Sequence, residues 1–111
     1  MTTATPPSDS APCGRLAEPL TLPCGATLPN RLAKAAMTEG LATADGIATD
    51  ALCRLYRTWA EGGAGLLITG NVIVDRDHLE RPGNVVLHGA PGDAQQAALA
   101  RWAEAATGAG N

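Results

Sequence analysis

The sequence predicts an α/β fold built on a parallel strand–helix–strand unit, and three stretches carry that reading. An alternating, mostly apolar run from Asn30 to Thr38 stops abruptly and opens into the polar, Gly-bearing segment 39–46. Leu52, Leu55, Tyr56 and Trp59 then fall at i, i+3, i+4 and i+7, the apolar stripe of a helix that packs on a sheet. Straight after it comes the compact apolar run Ala64-Gly65-Leu66-Leu67-Ile68-Thr69. Strand, helix and strand joined by short connections form a right-handed crossover in which the two strands lie parallel, with apolar residues on both faces.

The totals narrow the class. A chain of 111 residues holds one domain at most, and 45% apolar with 17% charged residues is a globular composition. Phenylalanine is absent, so the expected core is Ala, Leu, Ile and Val. A net charge of -3 and eight scattered Lys and Arg provide no basic patch, which argues against nucleic acid or an anionic membrane surface as partner. No apolar run reaches the roughly 18 residues of a membrane span. Cys13, Cys24 and Cys53 are odd in number and contain no Cys-x-x-Cys pair, so free thiols in a reducing compartment are expected rather than a disulfide framework or a zinc site. The expected location is the cytoplasm. Residues 1–16 are rich in Thr, Pro, Ser and Ala and lack both a basic start and a hydrophobic centre. They read as a flexible tail, not a secretory signal, ahead of a folded part at 17–111.

Each element has its own signals. Leu20 and Leu22 alternate with polar residues, Cys24-Gly25 turns the chain, and Ala26 to Leu28 returns, which predicts a small hairpin with Gly25 at positive φ. The strand over Arg31 to Ala36 is expected to be buried. Its carboxyl end, Met37-Thr38, is expected to form the floor of a site, because sheets of repeated strand–helix units bind ligands there. Thr49 is a good N-cap and Asp50 suits the positive end of a helix; Gly62-Gly63 ends that helix. The second strand closes at Gly70-Asn71, and Val72 to Val74 leads into a polar loop over 75–92. Asp93 is expected to cap a last helix, with Gln96 completing a capping box and Leu99, Trp102, Ala103 and Ala106 facing inward. A third strand should follow Gly108, so the fold is expected to be interrupted at Asn111.

Candidate sites follow from placement. Gly62, Gly63 and Gly65 come after a helix and before a strand, the wrong order for a phosphate-binding loop. His78 and His88, with Asp75, Asp77 and Glu80 nearby, lack metal-ligand spacing and read as solvated loop histidines. Thr38 either caps the turn that follows it or offers its hydroxyl to a ligand. In the second case small Ala35 and Ala36 let a flat ring approach the main chain, Met37 faces the ring, and Gly70 and Asn71 lie beside the same site.

At these residues the sequence resembles the amino-terminal part of the Old Yellow Enzyme family of flavin oxidoreductases. The matching pieces are the hairpin from Pro19 to Leu28, Asn30-Arg31, Ala35-Ala36-Met37-Thr38, Asp45-Gly46, Thr49-Asp50, the helix with Tyr56, and the stretch from Gly62 to Asn71. The resemblance implies the start of a TIM (β/α)8 barrel: a bottom hairpin and the first two strand–helix units, with the barrel incomplete. It further implies FMN as cofactor, NADH or NADPH as electron donor, and a small-molecule acceptor such as an activated alkene. A homo-oligomeric full-length protein is compatible with it. By position, Ala35, Ala36 and Met37 flank the isoalloxazine, Thr38 hydrogen-bonds its carbonyl edge, and Gly70 and Asn71 stand at the pyrimidine end.

Departures from the family are Ala36 where Pro is common, Glu39 where a basic residue is frequent, and Asn71 where a small residue is usual. The family's substrate-anchoring pair, its proton-donating Tyr and its phosphate-gripping loops correspond to positions past Asn111. The 111 residues alone are therefore expected to be inactive. Two alternatives stand beside this reading: a non-catalytic remnant or small α/β interaction module, and an unrelated doubly wound domain. The latter would need a Gly-rich turn after the first strand, which this sequence lacks.

Overall fold

The structure, a computed structural model, describes residues 14–111. The expected tail lies outside the described residues up to position 13. Arg15–Ala17 form one 3-10 turn, and the Arg31 N–H donates to the Leu16 carbonyl at 2.8 Å. The hairpin follows as β1 (Leu20–Thr21) and β2 (Thr27–Leu28), antiparallel with Leu20 opposite Leu28. Gly25 at its turn has φ +95, a conformation that costs a side-chain-bearing residue dearly.

The crossover unit is present. β3 (Ala33–Lys34), α1 (Asp50–Glu61) and β4 (Leu66–Leu67) follow in order, and β3 pairs with β4 in parallel, Ala33 against Leu66 and Lys34 against Leu67. The Gly65 N–H to Leu32 carbonyl bond (2.9 Å) and the Ile68 N–H to Lys34 carbonyl bond (3.1 Å) extend the ladder at both ends. One side chain locks its start. Asn30 Oδ1 accepts from the Leu32 N–H at 3.0 Å and the Gly65 N–H at 2.9 Å, while Asn30 Nδ2 donates to the Gly63 carbonyl at 2.7 Å. A Cβ on Gly65 would sit 2.7 Å from Asn30 Oδ1, so the glycine lets the amide close in.

α1 begins as its sequence dictates. The Thr49 hydroxyl accepts from the Leu52 N–H at 3.2 Å, and Gly63 takes the left-handed position beyond the carboxyl end with φ +103. Leu52, Cys53, Tyr56 and Ala60 are buried on its inner face. They join Ala48, Val85, Ala98, Trp102 and Ala105 in the core, where the Tyr56 ring meets Trp59 and Trp102 edge-on at centroid distances of 5.1 and 5.3 Å. Cys53 is thus a small apolar residue of the helix interior.

Four expectations need correction. The first strand is not buried. Parallel register puts Lys34 and Leu67 toward α1, with Lys34 Nζ 4.6 Å from the Trp59 ring centroid, and puts Ala33, Ala35, Leu66 and Ile68 on the other face. That face is covered by nothing among the described residues, and Leu66, Ile68 and Met37 are exposed.

The segment 75–92 is more than a loop: β5 (Val72–Ile73) pairs in parallel with β6 (Val85–Val86), whose two valines are buried. A Cβ on Gly46 would come within 2.5 Å of the Val86 side chain, so the Asp45-Gly46 turn packs directly on β6. The last helix, α2 (Asp93–Thr107), is capped by Gly92 rather than Asp93, with no side-chain cap bond. Gln96 Nε2 reaches the Pro91 carbonyl at 3.2 Å instead of closing a capping box.

The inner face of α2 is Gln95, Ala98, Trp102 and Ala105, with Ala103 exposed. The helix is rotated so that Trp102 meets Tyr56 and the Gln95 amide donates to the carbonyls of Gly46 (3.0 Å) and Val86 (2.6 Å). The described residues form three two-stranded pairs and no closed barrel.

Replacing Asn30 with Ala removes all three bonds at the start of the β3–β4 ladder and leaves the Gly65 N–H without its side-chain partner. The expected cost is about 1–3 kcal/mol of stability, read from the denaturant midpoint.

Candidate functional site

The carboxyl ends of β3 and β4 lie side by side, and two close contacts join them. Gly70 packs on the Met37 main chain so tightly that a Cβ would stand 2.1 Å from the Met37 carbonyl oxygen. One residue further along each strand, Asn71 Nδ2 donates to Thr38 Oγ1 at 3.0 Å. Four of the six expected site residues, Met37, Thr38, Gly70 and Asn71, therefore share one rim. Just past β3, Ala35 and Ala36 are exposed and small, a ledge with little side-chain bulk, and the Met37 side chain is half exposed. The main chain of Ala35 to Met37 makes no backbone–backbone hydrogen bond with any described residue.

Glu39 supports this rim from below. Its Oε2 accepts from the Tyr56 hydroxyl and, at 3.1 Å, from the Gly70 N–H, which also lies 3.3 Å from the Tyr56 oxygen. The phenol is buried in the core, and that burial, with the Glu39 carboxylate beside it, pushes its pKa far above the ordinary 10.0. An acidic residue where the family often has a basic one is thus committed to the interior rather than aimed at a ligand. The spacing from Glu39 to Tyr56 gave no hint of this pairing, because only the folded crossover brings the helix under the strand end.

Glu80 also stands at this rim, a placement that its neighbours in sequence do not signal. Its Oε1 lies 3.0 Å from Asn71 Nδ2 and 3.4 Å from Thr38 Oγ1, and its Oε2 lies 2.6 Å from Arg81 Nε. The Arg81 bond foremost, then those from the Asn71 and Asn84 amides, hold the Glu80 carboxyl below its ordinary range. The histidines sit elsewhere: His78 Nδ1 is 2.9 Å from Asp75, and His88 Nδ1 accepts from the Arg76 N–H at 2.8 Å. No trio of His, Cys, Asp and Glu among the described residues is arranged to hold a metal ion. A concavity of about 850 Å³ opens between α1 and α2, lined by Arg54, Arg57, Arg101 and Glu104, and includes none of the rim residues. The chemistry-bearing groups converge at the strand ends, so the rim is the stronger candidate on donor geometry.

No family model matches the chain. Over 87 residues it is 42% identical to an NADH-dependent flavin oxidoreductase of Hypocrea jecorina (strain QM6a), an alignment covering 78% of this chain and 22% of that protein. The solved Old Yellow Enzyme homologue from Zymomonas mobilis is similar with a TM-score of 0.71 and 29% identity, over 86% of this chain and 25% of its own. The Old Yellow Enzyme from Pichia sp. AKU4542 gives a TM-score of 0.74 and 26% identity over 87% of this chain and 24% of its own. The chain spans a quarter or less of each of these three proteins.

Two substitutions probe the rim. Gly70→Ala forces a methyl group against the Met37 carbonyl and is expected to cost about 1–3 kcal/mol, checked by the denaturant midpoint. Tyr56 makes stability fall at alkaline pH. Its proton is held more tightly in the folded state than in the unfolded one, so its contribution is full below the ordinary value of 10.0 and is lost as pH rises beyond it toward the raised native value. Thermal unfolding of Tyr56→Phe should be lower than wild type near neutral pH and lose that part of its alkaline slope.

Proposed function

This chain belongs to the Old Yellow Enzyme family, and from that premise we propose that it forms the FMN-facing rim of an oxidoreductase. The enzyme passes hydride from NADH or NADPH, by way of FMN, to an activated alkene or a similar small-molecule acceptor. The observation that carries the proposal is the Asn71–Thr38 contact at the ends of two parallel strands, beside a ledge without side-chain bulk.

The residues fit the group. A planar ring needs a flat wall and hydrogen-bond donors along its carbonyl edge. Ala35 and Ala36 provide the wall, the missing Cβ of Gly70 keeps the rim shallow, and Thr38 and Asn71 carry the hydroxyl and the amide. Bound there, FMN would supply the relay of hydride between donor and acceptor. Thr38, turned toward the ring, would hydrogen-bond the edge that gains negative charge on reduction, an interaction worth about 1.5–3 kcal/mol for a charged acceptor. Met37 and Ala35 would shield one face from water.

In this reading residues 17–111 open a β/α barrel. The bare face of β3 and β4, with Leu66 and Ile68, is the surface further strands would cover. We place the protein in the cytoplasm, in keeping with the free thiols of Cys24 and Cys53.

Phosphate binding in such barrels comes from the last strand–helix units. The full-length protein is therefore expected to purify with a flavin absorbance band that NADH or NADPH bleaches under anaerobic conditions. The 111 residues alone should lose that band on desalting and leave NADH unoxidised. A full-length protein without flavin would sink the proposal and favour a non-catalytic module.

A further inference from the structure

Glu80 sits on the rim by way of a segment that shares neither β3 nor β4. Its Oε1 gathers Asn71 Nδ2 at 3.0 Å, Thr38 Oγ1 at 3.4 Å and Asn84 Nδ2 at 3.5 Å, while Arg81 Nε holds Oε2 at 2.6 Å. The proton count at the rim is then closed. Thr38 has one hydroxyl proton, and it is directed at Glu80; its oxygen meanwhile accepts from Asn71. Asn71 has two amide protons, and its Nδ2 faces two acceptors, Thr38 Oγ1 and Glu80 Oε1. A ring carbonyl arriving at this rim finds no unclaimed side-chain proton on either residue.

The contact from Thr38 to Glu80 is long, since O–H···O bonds in proteins centre on about 2.7–2.8 Å, so the hydroxyl turns away from the carboxylate at small cost. Arg81 keeps the carboxylate in place while it does so.

We infer that Glu80 is a positioning residue that competes with the flavin's carbonyl edge for the Thr38 proton and thereby holds the cofactor's reduction potential down. The inference rests on the flavin reading above. A donor at the carbonyl edge favours the reduced, negatively charged ring, and a carboxylate that claims that donor favours the oxidised one.

The test is the midpoint potential of the FMN-loaded full-length protein, measured by dye-coupled titration for wild type, Glu80→Ala, Glu80→Gln, Thr38→Val and the Glu80→Ala/Thr38→Val double variant. Glu80→Ala should raise the potential by the equivalent of roughly three- to tenfold in the oxidised-to-reduced equilibrium, at most about 30 mV for a two-electron couple. Glu80→Gln keeps an acceptor without the charge and should move it the same way by less; it carries the test alone if the alanine variant does not fold. In the Thr38→Val background the Glu80→Ala shift should shrink by at least half, because the two residues act as a pair. FMN affinity, followed by flavin fluorescence, should be equal or tighter in Glu80→Ala.

A potential that is unchanged or lowered, or a shift of equal size with and without Thr38, overturns the role given to Glu80 while FMN binding stands. Wild-type protein that holds no FMN overturns the flavin reading and this inference with it.

Discussion

One phenol joins the hydrophobic core to the rim, and the arrangement of both depends on it. The Tyr56 ring lies at the junction of α1 and α2, edge-on to Trp59 and Trp102, and its side chain is among the most deeply buried in the molecule. Its hydroxyl leaves the core at the one place where the strand ends converge, donating to Glu39, which in turn accepts from the Gly70 N–H. A buried hydroxyl and a partly buried carboxylate are each costly without a partner, and here each satisfies the other. Helix packing therefore fixes the separation of the β3 and β4 ends, and with it the distance from Thr38 to Asn71. Asn30 does the equivalent work at the opposite end of the same pair through bonds from its side-chain amide to the main chain.

What could be read in the sequence was local. The Thr49 cap, the helix that turns Leu52 and Tyr56 inward, the positive φ at Gly25 and the apolar run at Leu66-Leu67 are local properties of the chain, and all appear in the fold. The Thr38–Asn71 meeting was legible too, because it follows from the parallel crossover once both strands are placed. The unread features are non-local. Val85 and Val86 form a strand only because β5 offers an edge, and two residues between turn signals carry no period. Gln95 is a polar residue buried because two carbonyls, of Gly46 and Val86, take its amide protons. That single demand, together with Trp102 against Tyr56, rotates α2 away from the face that apolar content alone would choose.

The two acidic residues of the rim show how charge can be present without being available. Glu39 is consumed by a phenol and a main-chain amide, and Glu80 by Arg81 and two side-chain amides. Neither stands as a free anion before an incoming ligand. A residue that departs from its family's usual charge is informative about substrate only after its partners are known. Here the departure at Glu39 is answered from the interior by Tyr56.

The uncovered side of the β3–β4 pair has a consequence outside chemistry. Leu66, Ile68 and Met37 stand in water, and neither strand has a second neighbour among the described residues. Such an edge is a template for any other extended chain, including another molecule of the same sequence. During synthesis such a stretch is prone to aggregate until something covers it, the condition in which chaperones act.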